Sequence, residues 1–215
     1  MPVDAITSAP VRRTQAERSE TMRARILTAA VTCLFEHGYG ATTTVSVAAT
    51  AGVSRGAMLH HFPSKADLML AALSHILDLD AANFQRAADG IDDPWERYAA
   101  LPDLRLSTAS QPAGVAFMEI MVGARSDETV RSRFAEFQQR LGRRTAQHAS
   151  RMAEDAGIEV TARDRAVSRC VALAIFGLAI QRQVLPQLDT EDVLGVLREL
   201  KRSTMEKMEA PRDLS

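Results

Sequence analysis

From Ser54 to Lys65 the chain reads Ser-Arg-Gly-Ala-Met-Leu-His-His-Phe-Pro-Ser-Lys, placing hydroxyls, a guanidinium, two imidazoles and an ammonium within a dozen residues that hold no acid. Such a set of donors suits the recognition of anions and of base edges. An arginine can donate two hydrogen bonds to guanine O6 and N7, and hydroxyls and helix amides take phosphate oxygens. Other chemistries fit less well. Side chains at adjacent helical positions point about 100° apart, and neither carboxylate nor cysteine accompanies His60 and His61 at ligand spacing, so no metal is expected. A phosphate-cradling glycine loop and H-E-x-x-H do not occur in the chain. Asp92-Asp93, and Asp189 with Glu191 and Asp192, fall where helices start, and acids there serve capping and dipole roles. No catalysis and no cofactor are expected.

The elements that must position this segment are helices. Thr14-Gln15-Ala16-Glu17 has the spacing of a capping box and opens a helix over about 15–37, with Ile26, Leu27, Ala30, Val31, Leu34 and Phe35 on one face and Gly38 at its end. After Thr42, Thr43 and Thr44, the residues Val45, Val47, Ala48 and Ala51 recur at helical spacing until Gly52 closes a short helix. Ser54 is a suitable N-cap for a second short helix that Pro63 stops. Ser64-Lys65-Ala66-Asp67 then opens a long helix, with Leu68, Leu70, Ala71, Leu73, Ile76, Leu77 and Phe84 on its apolar face. Beyond Gly90 strand-type alternation never appears. The chain divides at Asp93-Pro94, Leu101-Pro102, Gln111-Pro112, Ser126-Asp127, Ala156-Gly157 and Pro186. A charge-laced helix is expected from Arg131 to Asp155. The most apolar helix, capped by Thr161 and buried on most sides, follows it, and a last helix near 190–209 carries Val193, Val196, Leu197, Leu200, Met205 and Met208 on one stripe. The fold class is all-α, with about nine helices.

Composition bounds the rest. Of 215 residues, 46% are hydrophobic and 25% charged, the balance of a globular chain. The longest apolar run is the ten residues 171–180, short of the ~18 that a membrane span needs. No membrane association is expected. The N-terminus carries no secretory pattern, and the cytoplasm is the expected compartment. Cys33 and Cys170, each among apolar neighbours, read as small core residues. Charge is uneven: residues 1–65 hold seven Lys/Arg against four Asp/Glu, whereas the remainder carries an acidic excess under an overall net charge of −1. A basic face on one small unit suits nucleic acid, although solvated helix faces produce the same imbalance.

Two short helices joined at Ala51-Gly52-Val53-Ser54 and braced by a longer one make a helix-turn-helix. Gly38-Tyr39-Gly40-Ala41-Thr42-Thr43-Thr44-Val45, followed by Ala51-Gly52-Val53-Ser54-Arg55-Gly56-Ala57-Met58-Leu59-His60-His61-Phe62-Pro63-Ser64-Lys65, resembles the DNA-binding domain of TetR-family transcriptional regulators. This resemblance implies a tail over 1–13, a DNA-reading unit over 14–65 and a helical effector-binding and dimerisation unit over 66–215. It makes 54–61 the recognition helix. Arg55 is the candidate for base contact, a phosphate contact or a solvated arginine being the alternatives. Ala57 can touch a thymine methyl, and Gly56 offers backbone alone. Thr43, Thr44, Ser54, His60, His61 and Lys65 match positions that approach phosphates. Leu59 departs from the family, which often has a tyrosine there whose hydroxyl reaches the DNA. Arg12 and Arg13 either enter a minor groove or make no contact.

One recognition helix touches few bases, so a symmetric dimer reading an inverted repeat of double-stranded DNA is expected. Its interface is sought in Val171, Ala174, Ile175 and Leu178, with Val193, Leu197 and Leu200 beside them. Cys170 and Ala179 extend the first stripe, while Leu173, Phe176 and Ile180 form another, and either stripe could face the core. A central helix buried within one subunit is the alternative. Between the two ends, His75, Phe84, Trp95, Tyr98, Phe117, Met118, Met121 and Phe134 either line a small-molecule pocket, as the resemblance implies, or pack a plain core. A largely apolar effector is expected, with His75, Trp95, Tyr98 or Glu119 as polar handles. The resulting reading is a repressor released from its operator by a small molecule. The alternative is a DNA-bound structural or partner-recruiting protein without an effector.

Overall fold

The computed structural model describes residues 14–206. Arg12, Arg13, the tail over 1–13 and Met208 lie outside them. Ten helices are formed, and no strand occurs among the described residues: α1 (Gln15–Ala41), α2 (Thr44–Ala51), α3 (Arg55–His61), α4 (Lys65–Ala88), α5 (Pro94–Ala99), α6 (Leu101–Ala109), α7 (Pro112–Gly123), α8 (Glu128–Asp155), α9 (Ala162–Val184) and α10 (Glu191–Glu206). The all-α expectation holds. The count is ten where about nine were expected; 94–109 divides at Leu101-Pro102 as the sequence predicts, into two helices that each have proline in the first turn, with Ala100 as the joint. A proline lacks the N–H that an interior helical position needs, so each one starts a new helix.

Local chemistry sets the boundaries. Thr14 and Glu17 close the expected capping box, as do Thr161 and Asp164 at the start of α9. At Gly38, φ is +76°, which breaks α1 one turn before its end, close to the stop expected from sequence. Ser64 caps α4 by accepting from the amide of Asp67 at 3.1 Å.

One large core runs from the head (α1–α3) along α4 into α7 and α9. A second, smaller cluster at the far end gathers Phe84, Tyr98, Leu104, Met152, Ile158 and Met205. At the centre, the Phe117 ring lies 5.8 to 6.5 Å from those of Phe134, Phe137 and Phe176, within the range where aromatic pairs attract.

Several expected core positions are open. Phe35 is 39% exposed and Val45 61%, because each sits at the edge of its helical stripe. Cys33 is buried, but Cys170 is exposed. The helix expected to be buried on most sides, α9, buries only one: Val171, Ile175, Leu178 and Ala179 point inward, while Leu173 (70%) and Val184 (72%) lie bare. By length and composition α9 would suffice to cross a membrane, which a count of uninterrupted apolar residues does not reveal; its inward face packs against α6 and α10 instead.

Candidate nucleic-acid interface

The helix pair α2–α3 is held from below and left open above. Val47, Ala48 and Ala51 of α2 and Met58 of α3 are buried. Gly52 has φ +60° and ψ +42°, the left-handed conformation that ends α2 and reverses the chain; glycine adopts it without the penalty a Cβ would bring. The turn is braced from α1, where Nη2 of Arg25 donates to the Gly52 carbonyl at 2.6 Å. Sγ of Cys33 lies 3.3 Å from Oγ1 of Thr50. The Arg23 guanidinium stands over the Phe62 ring, 5.3 Å from its centroid.

Upon this base α3 presents its outer face. Ser54 caps it, Oγ accepting from the Ala57 amide at 3.2 Å. Arg55, Gly56, Leu59 and His60 are exposed, and Ala57 and His61 are half-buried. Arg55 has no ion pair among the described residues, so its donors face solvent. Thr43 caps α2 through a reciprocal pair of bonds with Ser46, and Thr44 is its first residue. Burial, then the charges of His60 and Arg23, holds the His61 imidazole below its ordinary value. No group of three or more His, Cys, Asp or Glu among the described residues could hold a metal ion.

Lys65, expected at the phosphate backbone, is engaged within the protein in the absence of DNA. Its Nζ turns inward, donates to the Tyr39 carbonyl at 2.6 Å and stands 4.2 Å from the centroid of the Tyr39 ring. Burial accordingly lowers its pKa, against the pull of Asp127.

Tyr39 is the centre of the joint between head and body. Its amide donates to Oε2 of Glu119 at 2.8 Å, and its hydroxyl donates to Oδ2 of Asp127 at 2.9 Å. Its ring lies flat on Gly123, where a Cβ would sit 2.2 Å from Cγ of the tyrosine. Asp127 also caps α8 by accepting from the Val130 amide at 3.1 Å. Glu119, expected as a polar handle for an effector, therefore serves this joint. Sequence reasoning missed it; the available signal was a tyrosine directly after a helix-ending glycine.

The expected pocket residues are dispersed. Phe117, Met118 and Phe134 belong to the central core, and Met121 packs against it. Nε2 of His75 lies 3.4 Å from Oγ1 of Thr28, on the α1 side of α4. Trp95 and Tyr98 belong to the far cluster, Tyr98 under the Lys201 ammonium at 3.6 Å. Only Phe84 lines the cavity of about 230 Å³ between α4, α6 and α8. The other groups there that sequence reasoning missed include Arg105, Arg144, His148 and Arg151. Their signal was the placement of 144, 148 and 151 on one face of α8, four and then three residues apart.

Of the seven residues sought at a partner interface, Val171, Ile175, Leu178 and Leu197 are buried within the protomer and Ala174 is partly buried. The interior takes that stripe because α6 and α10 cover it. Outward stand Leu173, Ile180 and Val184 of α9, with Val193, Val196 and Leu200 of α10.

A braced helix-turn-helix at one end of an all-helical body defines a DNA-binding regulator of transcription. The family model described as bacterial regulatory proteins, tetR family, matches residues 26–72. An uncharacterized HTH-type transcriptional regulator of Mycobacterium tuberculosis is 32% identical over 185 residues, spanning 84% of this chain and 92% of its own. The HTH-type transcriptional repressor AcnR of Corynebacterium diphtheriae is 32% identical over 148 residues, 64% of this chain and 72% of its own. Among solved structures, a protein of Saccharomonospora viridis described as a transcriptional regulator, in complex with choline, aligns at a TM-score of 0.61 and 22% identity over 87% of this chain and 96% of that one. The chain belongs to the TetR family of bacterial transcriptional regulators, and its relatives are regulators, not enzymes.

Proposed function

We propose that this protein is a homodimeric, effector-responsive repressor that binds an inverted-repeat operator in the cytoplasm. The observation that carries the reading is the open outer face of α3, fixed to the body by Met58 and led by an arginine that no acid engages. In this reading Arg55 contacts a base edge, Ala57 a thymine methyl, and the Gly56 backbone approaches the duplex closely. Thr43, Thr44, Ser54, His60 and His61 surround phosphates, where the free amides at the starts of α2 and α3 add their own attraction. Leu59, 40% exposed, meets sugar or methyl surface. Lys65 acts from within, by holding the head to α4.

Dimerisation is supported by the bare apolar face that Leu173, Ile180, Val184, Val193, Val196 and Leu200 share across α9 and α10. A contiguous apolar face of this kind is rare on a monomer, and joining two copies would make a four-helix interface. Two heads about 34 to 36 Å apart then read successive turns of one DNA face. The effector reading is supported by the cavity beside α4, the helix that continues from the head, and repression by the likeness to AcnR.

Selection from random oligonucleotides at modest ionic strength is expected to enrich an inverted repeat. Sedimentation is expected to give a dimer at micromolar concentration. Recovery of no symmetric site would refute the DNA-reading assignment, and a clean monomer would refute the dimer. Stable operator binding that no small molecule releases would favour the reading without an effector.

A further inference from the structure

We propose that the cavity between α4, α6 and α8 binds a small organic monocarboxylate whose apolar part rests on Leu77 and Leu141. Leu77 and Phe84 of α4 and Leu141 of α8 supply an apolar wall. Beside them, Arg105 of α6 and Arg144 and Arg151 of α8 line the same cavity, Arg105 standing over the Phe84 ring at 4.2 Å. Its volume of about 230 Å³ exceeds the ~150 Å³ that accepts a benzene ring, leaving room for a carboxylate on a ring or short chain.

The charges narrow the choice of ligand. Nη1 of Arg105 lies 3.5 Å from Oδ2 of Asp80, and Nη1 of Arg144 lies 2.9 Å from Oδ1 of Asp78. Two of the three cations thus have acids from α4 facing them. Arg151 has no ion pair among the described residues, which leaves one positive charge unmatched. A monoanion balances it, a dianionic phosphate overshoots it, and a cation meets repulsion. His148 stands edge-on to Phe84 at 5.0 Å, and burial together with Arg105, Arg151 and Arg144 keeps its imidazole below the ordinary value. A neutral imidazole there adds a hydrogen bond without adding charge.

The same geometry joins binding to the DNA-reading head. The two ion pairs tie α4 to α6 and α8, so a carboxylate held by Arg151 that also reaches Arg105 or Arg144 competes with Asp80 and Asp78 and loosens these ties. This coupling rests on the effector-responsive reading above; occupancy of the cavity does not. An effector shifts an equilibrium only through contacts that differ between two states, and these ion pairs are such contacts.

The test is calorimetric titration of the full chain, at constant ionic strength, with benzoate, cinnamate and octanoate. Their amides, inorganic phosphate and choline serve as comparisons. At least one acid is expected to bind, its amide about tenfold or more weaker, with no binding of phosphate or choline. Arg151→Gln, at an exposed site and checked for folding by circular dichroism, is expected to weaken acid binding by about tenfold. The proposal is overturned if no acid binds at millimolar concentration, if amide and acid bind alike, if phosphate or choline binds instead, or if Arg151→Gln leaves acid affinity unchanged. A gel-shift assay with the selected operator separates the two readings. Acid binding without DNA release upholds the site and refutes the effector role assigned to it. Release by a neutral compound, with the acids inert, refutes the site and leaves the effector reading standing.

Discussion

Arg55 of α3 and Arg105 of α6 carry the same group in opposite circumstances. Arg55 stands in solvent, faces no acid and keeps its hydration until a partner arrives. Arg105 has surrendered most of its water: it sits 4.2 Å from the centroid of the Phe84 ring, 3.5 Å from Asp80, and burial lowers its pKa against the pull of that aspartate. An open guanidinium contributes little to the fold and is free to discriminate among partners. A desolvated one must be matched inside the protein, so any ligand that engages it has to replace a match already made. Lys201 lies beyond both. It is 1% exposed, its Nζ has no hydrogen-bond partner among the described residues, and it faces the Tyr98 ring, with burial holding its pKa down to about 8 against the pull of Asp164.

Arg105→Ala breaks the contrast most directly. It strands Asp80, whose side chain is 26% exposed, and uncovers Phe84, so a loss of about 2 to 3 kcal/mol in unfolding free energy is expected from urea denaturation. Asp80→Asn in the same background should recover part of that loss, because the stranded charge is gone; fully additive losses would mean that the pair does not interact.

Lys201 sharpens the comparison through pH. The unfolded chain keeps an ordinary lysine, near 10.5, while the folded chain releases its proton above about 8, so the unfolded state binds more protons between those values. Stability from this group therefore rises with pH across that window and is level below it. Between pH 8 and 9.5 the wild type is expected to gain about 2 kcal/mol relative to Lys201→Met, read from urea midpoints. Parallel curves for the two proteins would show that Lys201 keeps its proton when folded.

The smallest stability effect belongs to the open arginine. Arg55→Ala is expected to move unfolding free energy by less than about 0.5 kcal/mol while removing about 1 to 3 kcal/mol of preference at one base position in each half-site. Unchanged base preference would reassign Arg55 to the phosphate backbone.

The head was largely readable because its signals are local. Thr14 with Glu17, Gly52, Ser54 and Pro63 each act within about a turn of themselves, through hydrogen bonds and φ preferences that need no distant partner. The cavity was not. Asp80, Arg105, Arg144 and Arg151 come from three helices, and no period in the chain announces that they meet. Lys65 illustrates the boundary between these cases. Its place at the start of α4 follows from Ser64, but the inward turn of its ammonium requires Tyr39, 26 residues earlier.

From residue order alone came the helices, their caps, the reversal at Gly52 and the outward face of α3, since backbone geometry and side-chain spacing are properties of neighbours along the chain. The side of α9 that lies bare, the seat of Tyr39 on Gly123 and the gathering of three arginines at one cavity came from packing. Each depends on which surfaces exclude water from each other, and an apolar or charged stripe on one helix does not specify its counterpart.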